Sequence, residues 1–330
     1  MARDLLLPQE PPPAATTVPT AAPLEAAKGR PSRTAGAAPP GAETRTSEGV
    51  ATLCGAVAGD ARVAVAGVEL DALTEAQVVQ HVVEALHHGR GGHIVTPNVD
   101  ICRAISRDAE LRELVASADL AVADGMPLVW AARLLGDPLP ARVTGADLIW
   151  SLSEAAASHG FPIYLLGGPP GVPDTASAAL RERCPQLVVA GVDAPPYGFD
   201  TCDEELAEVR KKLVDAGPLL VFVGLGFPKQ DRLIAAVRAD LPGAWFVGCG
   251  SAIAFAAGSV RRAPAWMGDH GLEWLFRLLS EPGRLARRYL IDDLPFALRL
   301  LTGCLLRRRE PVAQVHEGGC SPGDAGRSQR

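Results

Sequence analysis

An aspartate at the end of an apolar run is the first place in this chain where chemistry could be done. The stretch Leu120-Ala-Val-Ala-Asp124-Gly-Met-Pro127 reads as a buried strand that runs into a turn, with Met126-Pro127 opening a helix. His93-Ile-Val-Thr96-Pro97-Asn98 ends in the same manner, with a hydroxyl and an amide at the exit. In an open α/β sheet, ligands bind in the crevice outside the carboxyl ends of the strands. Asp124, Thr96 and Asn98 are therefore expected at one crevice, where a carboxylate beside neutral donors can orient a hydroxyl and take its proton. Taken alone, the same residues would serve as helix caps, Asp124 for the helix after it and Asn98 for its own.

Other strand exits add to the first two. Gly167-Gly168 with Gly171, Gly224-Leu-Gly226-Phe-Pro-Lys229-Gln230, and Gly248-Cys-Gly250-Ser251 each follow an apolar run. Glycine there lets the backbone approach a ligand closely, and a helix N-terminus beyond it attracts an anion such as a diphosphate. None is a dinucleotide fingerprint, since Pro228 and Lys229 stand where the third glycine is needed, and there is no Walker lysine-hydroxyl pair. Each could be simple turn chemistry, but three on the edge that carries Asp124 point to a nucleotide-sized ligand. Arg142, just ahead of a helix start with Thr144 or Gly145, offers paired donors to a phosphate or carboxylate. The alternative for a lone loop arginine is a surface charge.

The elements that must hold these residues alternate. Val63 to Leu70 is a strand or tight strand pair, and Thr74-Glu-Ala-Gln77 is a capping box for a helix from Glu75 to His88. A helix through about Ala116 separates the Asn98 exit from the Asp124 strand, and a helix from Pro127 to Leu135 stops at Gly136-Asp-Pro138. From Pro162, strands and helices follow one another up to the strand at Ala244 to Val247. That spacing means right-handed crossovers and a Rossmann-like α/β fold, a largely parallel sheet flanked by helices.

Composition narrows the classes. The 330 residues are 48% hydrophobic, enough for a sizeable core, and the net charge of -6 gives no reason to expect a nucleic-acid partner. Seven cysteines without a C-x-x-C pair fit a reducing cytoplasm and indicate neither a disulfide framework nor zinc. His81, His87 and His88 sit on one helix near its end, an ordinary place for histidine, so metal ligation is not indicated. Residues 1–58, rich in Pro and Ala, read as a disordered extension, and so does the tail over 310–330. The uncharged run Leu241 to Val260 is long enough for a membrane span, but its four glycines and Pro242 suit a strand and a turn. Between the α/β core (59–260) and the tail, residues 261–309 mix arginines with Trp, Phe and Leu on short helices. From Arg277 to Arg309 eight arginines face three acids, a local net charge of +5. Such helices either lie on an anionic membrane surface or pack on the core with their arginines in solvent.

Several of these segments, in this order, resemble the WecG/TagA/CpsF family, glycosyltransferase family 26. The resemblance spans roughly Val63 to Leu300 and rests on Thr96-Pro-Asn98, Ala123-Asp-Gly125, Arg142-Val-Thr-Gly145, Gly224-Leu-Gly-x-Pro-Lys-Gln230, Arg262-Ala-Pro264, and Gly271-Leu-Glu-Trp274 with Arg277-Leu, Glu281-Pro282 and Arg284. It implies an inverting, metal-independent transferase without a cofactor. Such an enzyme moves a sugar from a UDP-activated donor to a polyprenyl-diphosphate-linked sugar at the inner face of a bacterial membrane. The sugars of this family include N-acetylmannosamine and its uronic acid, used in surface polymers. By resemblance, Asp124 is the general base, and Thr96, Asn98, Arg142 and Gln230 line the donor and acceptor pocket. Arg277, Arg284 and Arg287 belong to a C-terminal appendage that closes over the nucleotide diphosphate and docks on the anionic membrane; self-association is a further implied contact. The absence of a DxD-like carboxylate pair near a strand end agrees with metal-free chemistry. Two other classes stay open at this level. A dinucleotide-dependent oxidoreductase would use Gly167 to Gly171 and Asp193, and a membrane-surface sugar-nucleotide sensor would bind without turnover.

Overall fold

A computed structural model of the protein describes residues 61–308. The leader read over 1–58, and the tail with Arg309, lie outside the described residues. The chain opens with the hairpin β1 (Arg62–Val65) and β2 (Val68–Asp71), in antiparallel register with Val63 opposite Leu70. Helix α1 (Glu75–His87) starts from the expected capping box, in which Thr74 Oγ1 accepts from the Gln77 N–H and Gln77 Oε1 accepts from the Thr74 N–H.

A six-stranded parallel sheet then forms from β3 (Gly92–Val95), β4 (Leu120–Ala121), β5 (Ile163–Leu166), β6 (Val189–Asp193), β7 (Leu220–Val223) and β8 (Trp245–Gly248), in the order β4-β3-β8-β7-β5-β6. Five of these strands are buried at every position, as expected where helices cover both faces. Ile94, Leu165, Phe222 and Val247 pack with residues of α1 and of α5 (Gly145–His159) and α6 (Val172–Arg183). The alternate positions Leu166, Val221, Val223 and Phe246 face α7 (Asp203–Ala216) and α8 (Lys229–Val237). A third cluster joins the hairpin and Val95 to α2 (Val99–Ile105), α3 (Ala109–Ala116) and α4 (Met126–Leu135). Strand β3 leads to its neighbour β4 on one side, and β5 leads to β6 on the other. The ends of β8 and β7 are left between diverging connections, where a doubly wound sheet opens.

Three local expectations need correction. The helix read through Ala116 is two helices, because Asp108 breaks it: its carboxylate accepts from the N–H groups of Glu110 and Leu111 and starts α3. The Asp124 strand pairs for only two residues, and the chain beyond β4 is held by single bonds, Val122 N–H to Val95 O and Asp124 N–H to Pro97 O. The segment after Val260 is not made only of short helices. After α9 (Ala252–Ala256), α10 (Ala265–Asp269), α11 (Glu273–Ser280) and α12 (Pro282–Ala286), a π-helical turn, Arg287–Asp293, leads into the fifteen-residue α13 (Leu294–Arg308).

That last helix lies along α4 and adds Phe296, Leu300, Leu301 and Cys304 to the third cluster. Gly271, at φ +72°, turns the chain between α10 and α11 so close to α4 that a Cβ there would meet the Met126 Cβ at 2.8 Å. The segment is thus seated on the residues directly after Asp124. The uncharged run from Leu241 to Val260 resolves into β8, a glycine turn and α9, and no helix among the described residues is long and apolar enough to cross a membrane.

Leu128, fully buried one turn beyond Asp124, ties α4 to this cluster. Leu128→Ala should lower the unfolding free energy by about 2–5 kcal/mol, the cost of an unfilled core leucine. Urea titration reads it; a change under about 1 kcal/mol would mean that α4 is not anchored there.

Candidate active site

The strand ends open on a cavity of about 560 Å³. Its wall runs from the Asp124 turn beside β4, past Asn98 and the Gly250 turn, to Gly224 and Gly168 at the ends of β7 and β5. Of the residues expected at the site, Asp124, Thr96, Asn98, Arg142, Gln230 and Arg277 all reach this wall. Arg287 is exposed and does not line it; its neighbour Arg288 does. Arg284 lies in α12, and its side chain is outside the described residues.

Two of the polar residues shape the wall itself. Thr96 Oγ1 donates to the Gly248 carbonyl at 3.2 Å, tying the β3 exit to the β8 exit. Gln230 is buried, and its Oε1 accepts from the Gly250 N–H at 3.0 Å, which fixes the turn after β8. The fit is tight: a Cβ at Gly248 would come within 2.7 Å of Gln230 Nε2. Asn98 caps α2, accepting from the Ile101 N–H at 3.1 Å, and still borders the cavity. Asp124 is not a cap. Helix α4 takes Gly125 as its N-cap with no side-chain bond, so its N-terminus follows directly on the carboxylate.

The charged groups are interlocked. Arg142 pairs with Glu273 at 2.8 Å, Glu273 coming from the first turn of α11. Arg288 pairs with Asp100 at 2.8 Å and reaches Asp293 at 3.5 Å; Arg103 spans the same two carboxylates at 2.5 and 3.1 Å. Asp147 does not line the wall; burial raises its carboxyl, but Arg262 at 2.6 Å, the Thr144 hydroxyl and the charge of Arg142 together bring it below the usual range. Arg277 has no carboxylate partner among the described residues. Its guanidinium sits 5.5 Å over the Phe255 ring and reaches Ser251 Oγ at 3.4 Å.

Asp124 itself is half-buried in the cavity wall, and its oxygens have no hydrogen bond among the described residues. Burial pushes its carboxyl up to about 7. The Glu273 charge adds to this, Arg142 opposes it, and the smaller contributions of Asp147 and Arg277 take opposite signs. The arrangement is a base of near-neutral proton affinity next to guanidinium groups and a helix N-terminus. It suits transfer of a proton from a hydroxyl while an anion is held beside it. Sequence reasoning did not assign Glu273, Arg288, Asp100 or Asp293 to the site. Glu273 stood in a motif without a role, and between the adjacent Arg287 and Arg288 only the register of the π-helical turn decides which faces inward.

A sequence model of the WecG/TagA/CpsF glycosyl transferase family matches residues 63–310. A curated relative in Bacillus spizizenii, an N-acetylglucosaminyldiphosphoundecaprenol N-acetyl-beta-D-mannosaminyltransferase, is 31% identical over 202 residues, which are 61% of this chain and 76% of that protein.

The state of Asp124 has a consequence for stability. The folded protein keeps its proton up to about pH 7, whereas the unfolded chain loses it near 3.8. Between about pH 4 and 7 the native state binds more protons than the unfolded one, so this residue weakens the fold as pH rises through that window. Asp124→Asn should therefore raise the thermal midpoint at pH 8 and leave it unchanged at pH 4. An equal shift at both would mean that the carboxyl is not perturbed.

Proposed function

The chain belongs to the WecG/TagA/CpsF family of glycosyltransferases, and we propose that it moves N-acetylmannosamine, N-acetylmannosaminuronate or a related sugar from a UDP-activated donor to a polyprenyl-diphosphate-linked sugar, in the making of a cell-surface polymer. The observation that carries this reading is Asp124: a carboxylate with a proton affinity near neutrality, at the end of a parallel sheet, facing a cavity with three arginines in its wall. The relative's action on a lipid-diphosphate N-acetylglucosamine supports the acceptor class.

In the proposed reaction Asp124 takes the proton from the acceptor hydroxyl as that oxygen attacks the anomeric carbon. The new oxygen–carbon bond forms while the bond from the anomeric carbon to the donor diphosphate breaks, and the electron pair leaves with the nucleoside diphosphate. One base acting in one displacement inverts the anomeric centre. A double displacement needs a second carboxylate as nucleophile, and the acid that acts most strongly on Asp124, Glu273, is engaged by Arg142.

The departing charge is met by Arg142, Arg277 and Arg288, with the dipole of α4 directed toward it from its N-terminus. Metal-independent transfer is favoured by the pairing of the other cavity carboxylates, Asp100, Glu273 and Asp293, with guanidinium groups. The opposite end of the cavity, bounded by Gly168, Pro169, Leu225 and Phe227, is uncharged and suits a nucleoside. Work at the inner membrane face, with peripheral attachment, is supported by Leu279, Ile291 and Leu306, which stand 72, 67 and 63% exposed on the arginine-rich C-terminal segment.

Purified protein in EDTA should release UDP from one donor of a panel of UDP-sugars, and only with polyprenyl-diphosphate N-acetylglucosamine or another lipid-linked sugar present. Its kcat/KM should climb about tenfold per pH unit to about pH 7 and level off above it, since the ionised Asp124 is the active form. Loss of activity in EDTA, restored by a divalent cation, would overturn the metal-free mechanism. Release that ignores the acceptor would overturn the transfer.

A further inference from the structure

Glu273 is out of place in a cavity that is to bind a diphosphate. A carboxylate there repels the ligand, and it occupies Arg142, one of three arginines available to hold it. The geometry around it is well defined. Glu273 opens α11, two residues after the Gly271 turn that is pressed against Met126. Gly268, on α10, leaves 3.0 Å between a would-be Cβ and Arg142 Nη2, so the guanidinium is confined by backbone on one side and held by Glu273 Oε2 at 2.8 Å on the other. Both side chains are largely buried.

We propose that Glu273 is a positioning residue for the transfer: its carboxylate fixes the Arg142 guanidinium at the cavity wall and sets a negative charge against Asp124, so that the base is fully formed only when α11 is seated. A carboxylate with its ordinary proton affinity is a weak acceptor for a sugar hydroxyl, and one poised near neutrality is a better match. Glu273 is the largest charge acting in that direction. The other groups that face Asp124 are Arg142 ahead of α5, Asp147 on α5 with its partner Arg262, and Arg277 one turn along α11. Arg142 and Arg277 act the other way. Removing Glu273 deletes a repulsive charge and at the same time leaves Arg142 uncompensated, and both changes make Asp124 more acidic. The C-terminal segment therefore supplies a group that sets the base as well as groups that hold the anion.

This rests on Asp124 as the proton acceptor, and the test separates the two. In full-length protein labelled with 13C at aspartate carboxyls, Asp124 is assigned by its loss in Asp124→Asn and its titration followed by NMR. Glu273→Gln should move the midpoint down by about one pH unit, the scale on which a neighbouring charge acts. Glu273→Asp, which keeps the charge, should leave it near that of the unsubstituted protein. The acid limb of kcat/KM should follow the same order. An unmoved midpoint in a folded Glu273→Gln protein, or identical midpoints in the two variants, would overturn the role of Glu273 and leave the transfer reaction standing. A shifted midpoint in a protein that releases no nucleotide with any acceptor would refute the transfer and keep the coupling.

Discussion

The site is organised around one half-buried carboxylate that has no hydrogen-bond partner among the described residues. Asp124 lies three residues past a strand only two residues long, on a backbone held by the Pro97 carbonyl. The sheet that carries it is buried on both faces, so the carboxyl sits at the rim of a low-dielectric wall, where its charged form is disfavoured. An ordinary cap or ion pair would have removed the perturbation. Gly125 in the cap position of α4, and the engagement of Arg142 by Glu273, leave it in place.

The second constraint is the balance of charge around the cavity. Arg142, Arg288 and Arg103 each already hold a carboxylate, and Arg277 rests on an aromatic ring. In the proposed reaction a diphosphate entering this wall would exchange partners with Glu273, Asp100 and Asp293 and would meet Arg277 directly. Such exchange keeps buried charges compensated when the site is empty, which matters because an uncompensated buried charge costs far more than a surface one. It also joins the anion site to the C-terminal segment: Glu273 and Arg277 come from α11, and Arg288 and Asp293 from the π-helical turn.

Much of this was legible in the sequence, for definite reasons. Parallel strands covered on both faces are short apolar runs, and Ile163 to Leu166 or Leu220 to Val223 leave little else to be read. Their glycine exits mark the edge where the cavity lies, and Thr96, Asn98 and Asp124 could be placed there by strand polarity alone. Family resemblance, not spacing, brought in Gln230, whose part in fixing the Gly250 turn depends on a contact twenty residues away. What stayed hidden depends on tertiary register. The break at Asp108 was a capping signal inside a run of good helix formers. The choice of Arg288 over Arg287 turns on a π-helical stretch that no periodicity announces. Glu273 faces Arg142 across 131 residues, and only the seating of Gly271 on α4 brings them together.

The most direct measurement of the central claim compares the protein with its Asp124→Asn variant in two assays, nucleotide binding by calorimetry and acceptor-dependent nucleotide release. The account predicts that UDP binding survives, because the guanidinium groups and the α4 terminus are untouched, while release falls by about 10²–10⁴-fold, the usual worth of a positioned base. Release within a few-fold of the unsubstituted rate, with binding intact, would contradict it and place the proton acceptor elsewhere.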